Sequence, residues 1–229
     1  TINFSEPIGI DNWSALEIGV RHPVGHNLYL TAAYTWSHNL DNAGGFQNVY
    51  QPQQAYGNSS LNTPQVFTVS AVYTLPWFQT ASGWKGVVLG GWKYSNMTSI
   101  YTGSSLTPGL SLPNTGLATR PNVGGPVTMP RTIQQWFSTT SFTRPLAGYF
   151  GNAGNGILWS PGLVNFNMAA YKNFRIIERM TIQFRAELFN VFNHTNFNGP
   201  NTNLGAGTFG QITSAKEARI GEFALKLNF

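Results

Sequence analysis

The chain of 229 residues contains no cysteine. This absence excludes disulfide bridges, thiolate metal sites and cysteine nucleophiles, because each of these requires a thiol. No stretch of about 18 consecutive apolar residues occurs, and the mean hydropathy is only −0.14. Transmembrane helices are therefore not expected.

Charged residues are also scarce. They make up 9% of the chain, against roughly 25% in ordinary soluble domains. Asp and Glu together number 8, and no Ser/His/Asp set, carboxylate pair or phosphate-binding loop stands out, so we expect no catalytic residues and no enzyme. The 13 basic residues are scattered and form no run with interleaved aromatics. Nucleic acid is therefore not an expected partner.

The last ten residues, 220–229, carry the clearest pattern that the chain does contain. Apolar residues alternate there with polar ones, as in a strand with one apolar and one polar face. The apolar positions are Phe223, Leu225, Leu227 and Phe229. In outer-membrane barrels the apolar face of a strand meets lipid. A terminal Phe after alternate apolar residues also resembles the signal that the barrel-assembly machinery recognises. We therefore expect outer-membrane lipid and that machinery as partners, in a Gram-negative bacterium.

The same alternation predicts seven strands. They span roughly residues 12–20, 26–37, 64–75, 87–101, 163–174, 180–192 and 220–229. The connections alternate between short (21–25, 76–86, 175–179) and long (38–63, 102–162, 193–219). Outer-membrane barrels have short periplasmic turns and longer extracellular loops, so the predicted fold is an all-β, antiparallel transmembrane β-barrel. A short helix is also possible at Arg131–Phe137, within the longest connection.

Aromatic residues stand near several predicted strand ends. They are Trp36, Trp77, Phe78, Trp84 and Tyr101. Trp and Tyr concentrate at both membrane interfaces of membrane proteins, which this placement fits. Ordinary aromatic packing in a soluble sandwich explains the placement equally well.

One charged pair falls within the sixth predicted strand. Arg185 and Glu187 share a strand face opposite the apolar residues. They suit either a binding or catalytic pair, or charges that face the lumen and contact the barrel interior or a plug. The second interpretation is favoured, and we predict that Arg185 and Glu187 are lumen-facing charges.

Two patterns typical of ligand sites lack the required context. Gly205, Gly207 and Gly210 match the spacing of a dinucleotide-binding loop, but a turn-rich segment precedes them where a buried strand is needed. His22 and His26 stand four residues apart, but Pro23 between them disfavours the helix that a metal-binding pair would use. We therefore interpret the four histidines as solvated turn residues. No cofactor and no metal site is expected.

Several longer blocks resemble a known family. They are NWSALEIGVRHPVGHNLYLTAAYTWSHNLDNAGGFQN, TRPNVGGPV, RTIQQWFSTTSF, GYFGNAGNGILWSPG and FRAELFNVFNHTNFNGPNTNLGAGTFGQITSAKEARIGEFALKLNF. They resemble the barrel of TonB-dependent outer-membrane transporters of the Oar-like type, abundant in acidobacteria. The resemblance covers nearly all of the chain from Asp11 to Phe229, and the last block is the most specific.

The resemblance implies a barrel of roughly 22 strands with a plugged lumen. It also implies an N-terminal plug domain and a short box that engages TonB. Neither is visible here, and the chain begins at Thr1 without a signal region. Residues 1–229 are therefore expected to be the C-terminal segment of the barrel, about seven or eight strands, either processed or a fragment. Seven strands would leave Asn12–Val20 as an unpaired edge.

Three functions remain open on this basis. The first is a structural part of a TonB-dependent receptor or transporter for an unidentified substrate, with plug and TonB reached only through the missing part. The second is a small self-standing outer-membrane pore or adhesin, and the third is a soluble secreted carbohydrate-binding module. Long loops are usually functional or disordered, so ligand selectivity is expected in the loops 39–62 and 102–162.

Overall fold

The part of the chain that the structure describes forms seven long strands. The computed structural model describes residues 7–25, 27–43, 46–48, 50–111 and 120–229. The strands are β1 (Asp11–Val24), β2 (Leu28–Asp41), β3 (Gln65–Thr74), β4 (Lys93–Tyr101), β5 (Leu163–Ile177), β6 (Met180–Phe189) and β7 (Ile220–Asn228). The predicted antiparallel all-β fold is confirmed, since each strand pairs antiparallel with its neighbour in chain order.

The register of the pairs divides the sheet into two chemically different faces. Residues directly opposite each other in an antiparallel pair project to the same side. One side carries most of the large apolar residues of the seven strands and includes Leu16, Ile18, Leu30, Tyr34, Phe67, Val69, Ile100, Phe166, Met168, Ile182, Phe184, Phe223 and Leu225. We call it the apolar face, and the other side the polar face. Every Asp, Glu and Arg of the seven strands lies on the polar face, as does every Lys except Lys172.

The connections separate by length between the two ends of the sheet. Residues 25–27, 75–92 and 178–179 connect strands at one end, here called the short-turn end. Residues 42–64, 102–162 and 190–219 connect them at the other, the long-loop end. Three predicted ranges include positions outside the described residues, namely His26 in the second strand and residues 44–45, 49 and 112–119 in the first two long loops.

The connection between β3 and β4 differs from the prediction. A helix, α1 (Gly83–Leu89), occupies residues that were predicted as a turn and as the start of a strand. Val87 and Val88 favour a strand locally because both are β-branched. A tertiary contact overrides this preference, since the ammonium of Lys172 in β5 donates to the carbonyl of Gly90, the residue after the helix. β4 therefore begins only at Lys93.

The hydrophobic core lies in the long loops and not between layers of sheet. Phe137, Phe142 and Leu158 are its buried members. The rings of Phe137, Phe142 and Phe209 pack edge to face, with centroids 5.2–5.7 Å apart. This aromatic cluster, which we call the loop core, joins the loop 102–162 to the loop 190–219.

The helix predicted for Arg131–Phe137 is absent, because this segment bonds across the loop core instead. The backbone N–H of Trp136 donates to the carbonyl of Gly210 at 2.7 Å. Arg131 has a φ of +59°, which no residue within a right-handed helix adopts. Long-range contacts therefore replace the local hydrogen bonds that a helix would need.

The sheet is not closed among the described residues. β1 pairs with β2 alone and β7 with β6 alone, which confirms the unpaired edge expected at residues 12–20. Across the same residues, no helix is sufficiently long and apolar to cross a membrane.

Candidate ligand-binding face

The polar face carries an ion pair on β6. The guanidinium of Arg185 and the carboxylate of Glu187 lie 3.0 Å apart, because residues i and i+2 of a strand share a side. Glu187 also stands directly opposite Glu222 of β7. Arg185 thus offsets the repulsion of two neighbouring carboxylates. Arg185 is exposed and Glu187 is partly exposed. Solvent-exposed ion pairs contribute only about 0–1 kcal/mol to stability, so the pair is available for contacts with other molecules.

An open cleft of about 590 Å³ lies where the loop 190–219 folds over the polar face. Its polar lining side chains are Asn165, Asn167, Asn190, Asn196, Lys216, Glu217 and Glu222. Amide, ammonium and carboxylate groups together offer both donors and acceptors to a polar ligand. We call it the asparagine cleft.

Most asparagines of this cleft are held by the backbone around them. Asn196 accepts from the N–H of Val164 at 2.8 Å and donates to its carbonyl at 2.9 Å. Asn167 accepts from the backbone N–H of Asn190 at 3.0 Å. The Oδ1 of Asn165 is buried and has no partner among the described residues. A buried acceptor without a partner is costly, so the hydrogen-bonding capacity of Asn165 is not fully used.

A second polar centre, the arginine clasp, ties the loop 102–162 to the loop 42–64. It consists of Arg120 with Gln47, Gln54 and Asn155. Arg120 is only 6% exposed. Its Nη2 donates to the carbonyl of Gln54 at 3.1 Å, its Nη1 donates to Asn155 Oδ1, and its backbone N–H donates to Gln47 Oε1 at 2.6 Å. The side chain of Gln47 donates in turn to the carbonyl of Gly151 at 3.1 Å.

The clasp is tight, and its guanidinium is incompletely satisfied. A Cβ atom added at Gly151 would stand 1.9 Å from the carbonyl oxygen of Arg120, so only glycine permits this approach. Burial lowers the pKa of the Arg120 guanidinium, because desolvation penalises its charged form. The Nε atom has no hydrogen-bond partner among the described residues. Arg120 also lines an open cleft of about 540 Å³ with Gln51, Phe150 and Asn152.

Comparison with known proteins identifies the family. A family model described as an outer membrane beta barrel domain matches residues 1–222. The chain belongs to the outer membrane β-barrel domain family. No curated protein and no solved structure matches the chain. Its location is the outer membrane of a Gram-negative bacterium.

Membership of this family indicates the surroundings that each face of the sheet has in such barrels. In an outer-membrane β-barrel domain the outward band of the strands is apolar and the interior is polar. The distribution of charged residues follows this rule at every charged strand position except Lys172. The asparagine cleft and the Arg185–Glu187 pair both lie on the polar face.

The predicted assembly-signal residues lie together on the apolar face. Phe223, Leu225 and Leu227 alternate along β7, and Phe229 follows it. All four are largely exposed, with Phe229 at 97%. Their recognition by the barrel-assembly machinery stays a prediction, as does the contact of Arg185 and Glu187 with the lumen or a plug.

The described glycines and histidines whose spacing resembled a ligand site occupy ordinary turn and strand positions. Gly205 and Gly210 have φ values of +96° and +79° and lie in turns of the loop 190–219. His22 and His38 lie on strands β1 and β2, so their prediction as turn residues was wrong; the strands extend further than the alternation indicated. His26, the partner considered for His22, lies outside the described residues.

No pattern in the sequence predicted the residues of the arginine clasp or the asparagine cleft as parts of a site. Gln47, Arg120 and Asn155 are separated by up to 108 positions in the chain and match no short motif. The one available signal was an isolated arginine in a loop rich in Pro and Gly, which does not indicate a partner. Their association depends on how the two long loops fold against each other.

Proposed function

We propose that this chain forms part of the barrel wall of a TonB-dependent, Oar-like transporter that takes up a polar substrate. The family assignment supplies the outer-membrane β-barrel. The resemblance of the sequence to Oar-like transporters suggests the type of barrel. Further strands, the plug domain and the TonB contact would come from residues outside this sequence. The substrate itself stays unidentified.

The observation that carries the proposal is that, among the described residues, the sheet is open and has two long edges. β1 offers an edge of 14 residues and β7 one of 9. Lipid cannot satisfy the free N–H and C=O groups of an edge, and each unsatisfied group costs several kcal/mol. Each edge therefore needs a strand to pair with in the membrane.

Direct pairing of β1 with β7 is a poor solution. Seven antiparallel strands place the first and the last in the same direction, and both run from the long-loop end to the short-turn end. Closing the sheet on itself would create one parallel junction among antiparallel ones, whereas bacterial single-chain barrels have even strand numbers. This favours additional strands between β7 and β1, as in a larger barrel, over a self-standing pore of seven strands.

The long-loop end supplies the features that a substrate receptor needs. The loop core and the arginine clasp order the long loops into a packed layer. The asparagine cleft opens between this layer and the polar face. Such a cleft provides positioned polar groups for a ligand before it passes the lumen.

Electrophoretic mobility of the native protein tests the proposal. The outer-membrane fraction is run with and without boiling and probed with an antibody against residues 201–219. A transporter barrel gives a band several times heavier than 25.1 kDa that shifts on heating. A heat-shifting band near that mass would identify a small self-standing barrel instead, and the absence of a membrane band would contradict both.

The TonB contact needs a separate test. Formaldehyde cross-linking in cells, followed by capture of this protein with the same antibody, should recover TonB. A heavy heat-shifting band without TonB would keep the large barrel and overturn the energised import.

A further inference from the structure

Lys172 presents an anomaly on the apolar face. It is the one Lys, Arg, Asp or Glu that the seven strands place on the side turned to lipid. A charged side chain in contact with hydrocarbon is costly and is usually paired or directed to the interface. Lys172 is nevertheless only 4% exposed, so other protein groups must cover it.

One of those groups belongs to the connection that contains α1. The ammonium of Lys172 donates to the carbonyl of Gly90, the residue that follows the last residue of the helix. A cation near the C-terminus of a helix is favourable. The ammonium also lies 5.2 Å from the ring centroid of Phe174, within the range of a cation–π interaction. Lys172 thus attaches the end of α1 to the apolar face.

A second contact places the same connection outside the barrel. The rings of Trp92 and Phe184 pack edge to face, with centroids 6.0 Å apart. Phe184 lies on the apolar face and stands opposite Lys172 in the register of β5 and β6. The indole of Trp92 donates to the carbonyl of Val88. The helix therefore folds outward over the apolar side of the sheet at the short-turn end.

The free side of α1 is apolar. Trp84, Val87 and Val88 stand at positions i, i+3 and i+4, so they share one side of the helix. They are 66%, 63% and 46% exposed, respectively. Trp77 and Phe78, which belong to the same connection, are also exposed. The segment 76–92 holds no acidic residue, and Lys85 is its one basic residue.

From these contacts we propose that α1 is an interfacial anchor helix of the periplasmic leaflet. Its partner is the phospholipid of the outer membrane, at the boundary between headgroups and acyl chains. The occupant is lipid because the exposed side continues the lipid-facing surface of the barrel, and because the short-turn end is periplasmic in such barrels. Apolar helix faces bearing Trp typically lie at this depth. The proposal depends on the outer-membrane location and not on transport.

The absence of cysteine in this chain makes a direct test possible. The outer-membrane protein that carries this chain is prepared as Val87→Cys and, as a matched control, Lys85→Cys. The two positions lie about 200° apart around the helix. Each protein is labelled with a nitroxide and reconstituted in vesicles of phosphatidylethanolamine and phosphatidylglycerol. Relaxation of the label by oxygen, which enters the bilayer, is compared with relaxation by a water-soluble nickel chelate.

For each label we compare the ratio of its relaxation by oxygen to its relaxation by the nickel chelate. This ratio should be at least threefold higher at position 87 than at position 85. Equal responses at the two positions would overturn the proposal. Lys172→Met tests the attachment, and heat-shifted mobility confirms that this variant is folded. The spectrum of the label at position 87 should become more mobile, whereas an unchanged spectrum would remove Lys172 as the anchor.

Discussion

Replacing Arg120 by Ala tests whether the arginine clasp joins the two long loops. The substitution removes the donors to Asn155 Oδ1 and to the carbonyl of Gln54. It leaves the backbone bond to Gln47 in place, because that bond uses the N–H of residue 120. The loop 42–64 and the loop 102–162 should then separate more readily, while the sheet stays intact.

The expected magnitude follows from the hydrogen bonds lost. A bond from a charged donor contributes about 1.5–3 kcal/mol, so two such bonds set an upper limit of about 3–6 kcal/mol. Part of this is offset, since the variant no longer buries a guanidinium whose Nε lacks a partner, a cost of about 1–3 kcal/mol. The net loss should be about 2–3 kcal/mol. At about 1.4 kcal/mol for each factor of ten, local opening should increase about 30- to 150-fold.

Hydrogen exchange measured by mass spectrometry on the detergent-solubilised protein reports this opening directly. Peptides covering residues 51–62 and 150–156 should exchange faster in Arg120→Ala, and peptides from β2 should not change. Arg131→Ala is the matched control, because Arg131 is an exposed arginine of the same long loop. Arg120→Lys should fall between the two, since one ammonium cannot reproduce the planar fork of a guanidinium.

Exchange in Arg120→Ala that stays within twofold of the unsubstituted protein would refute the reasoning. The clasp would then be a by-product of loop packing and not a source of its stability. Faster exchange in β2 as well would also contradict it, because the substitution would then act on the whole fold.

Two further predictions concern the loop core and the chain terminus. Phe142→Ala should destabilise the loop layer by about 3–5 kcal/mol, the usual cost of removing a buried Phe. Limited proteolysis should then cut the loop 102–162. The control Tyr149→Ala, which removes an exposed ring, should leave the digestion pattern unchanged. Phe229→Ala should lower the amount of heat-shifting protein in the outer membrane several-fold, whereas Asn228→Ala should not. Equal assembly of these two terminal variants would contradict the assembly-signal role.

Much of the sheet could be predicted from local patterns. Alternation along 28–36 and 220–229 indicated both the strands and the sides on which Leu30 and Phe223 lie, because a strand repeats every two residues. Consecutive antiparallel strands usually pair, and the strands of this sheet follow their order in the chain. The prediction failed at Val87 and Val88, where a β-branched pair forms part of a helix. There the long-range contact of Gly90 with Lys172 outweighs the strand preference of the β-branched pair.

Much less of the candidate site could be predicted from the sequence. Arg185 and Glu187 were predicted as a pair because two positions on one strand share a face. Arg120 could not be assigned partners, since Gln54 and Asn155 approach it only when two long loops fold together. The same holds for Asn165, whose burial without a hydrogen-bond partner depends on how the loop 190–219 covers the polar face.

By itself, the sequence determined the strands, their two faces and the membrane in which they lie. The alternation of apolar and polar residues is a local property of the chain, and the low content of charged residues is a property of its composition, so neither depends on contacts between distant residues. Only the tertiary structure decided that the long loops share a core of Phe137, Phe142 and Phe209. It also decided that the end of α1 is attached to Lys172 on the apolar face of the sheet. These features depend on contacts between residues distant in the chain, and no local pattern specifies such contacts.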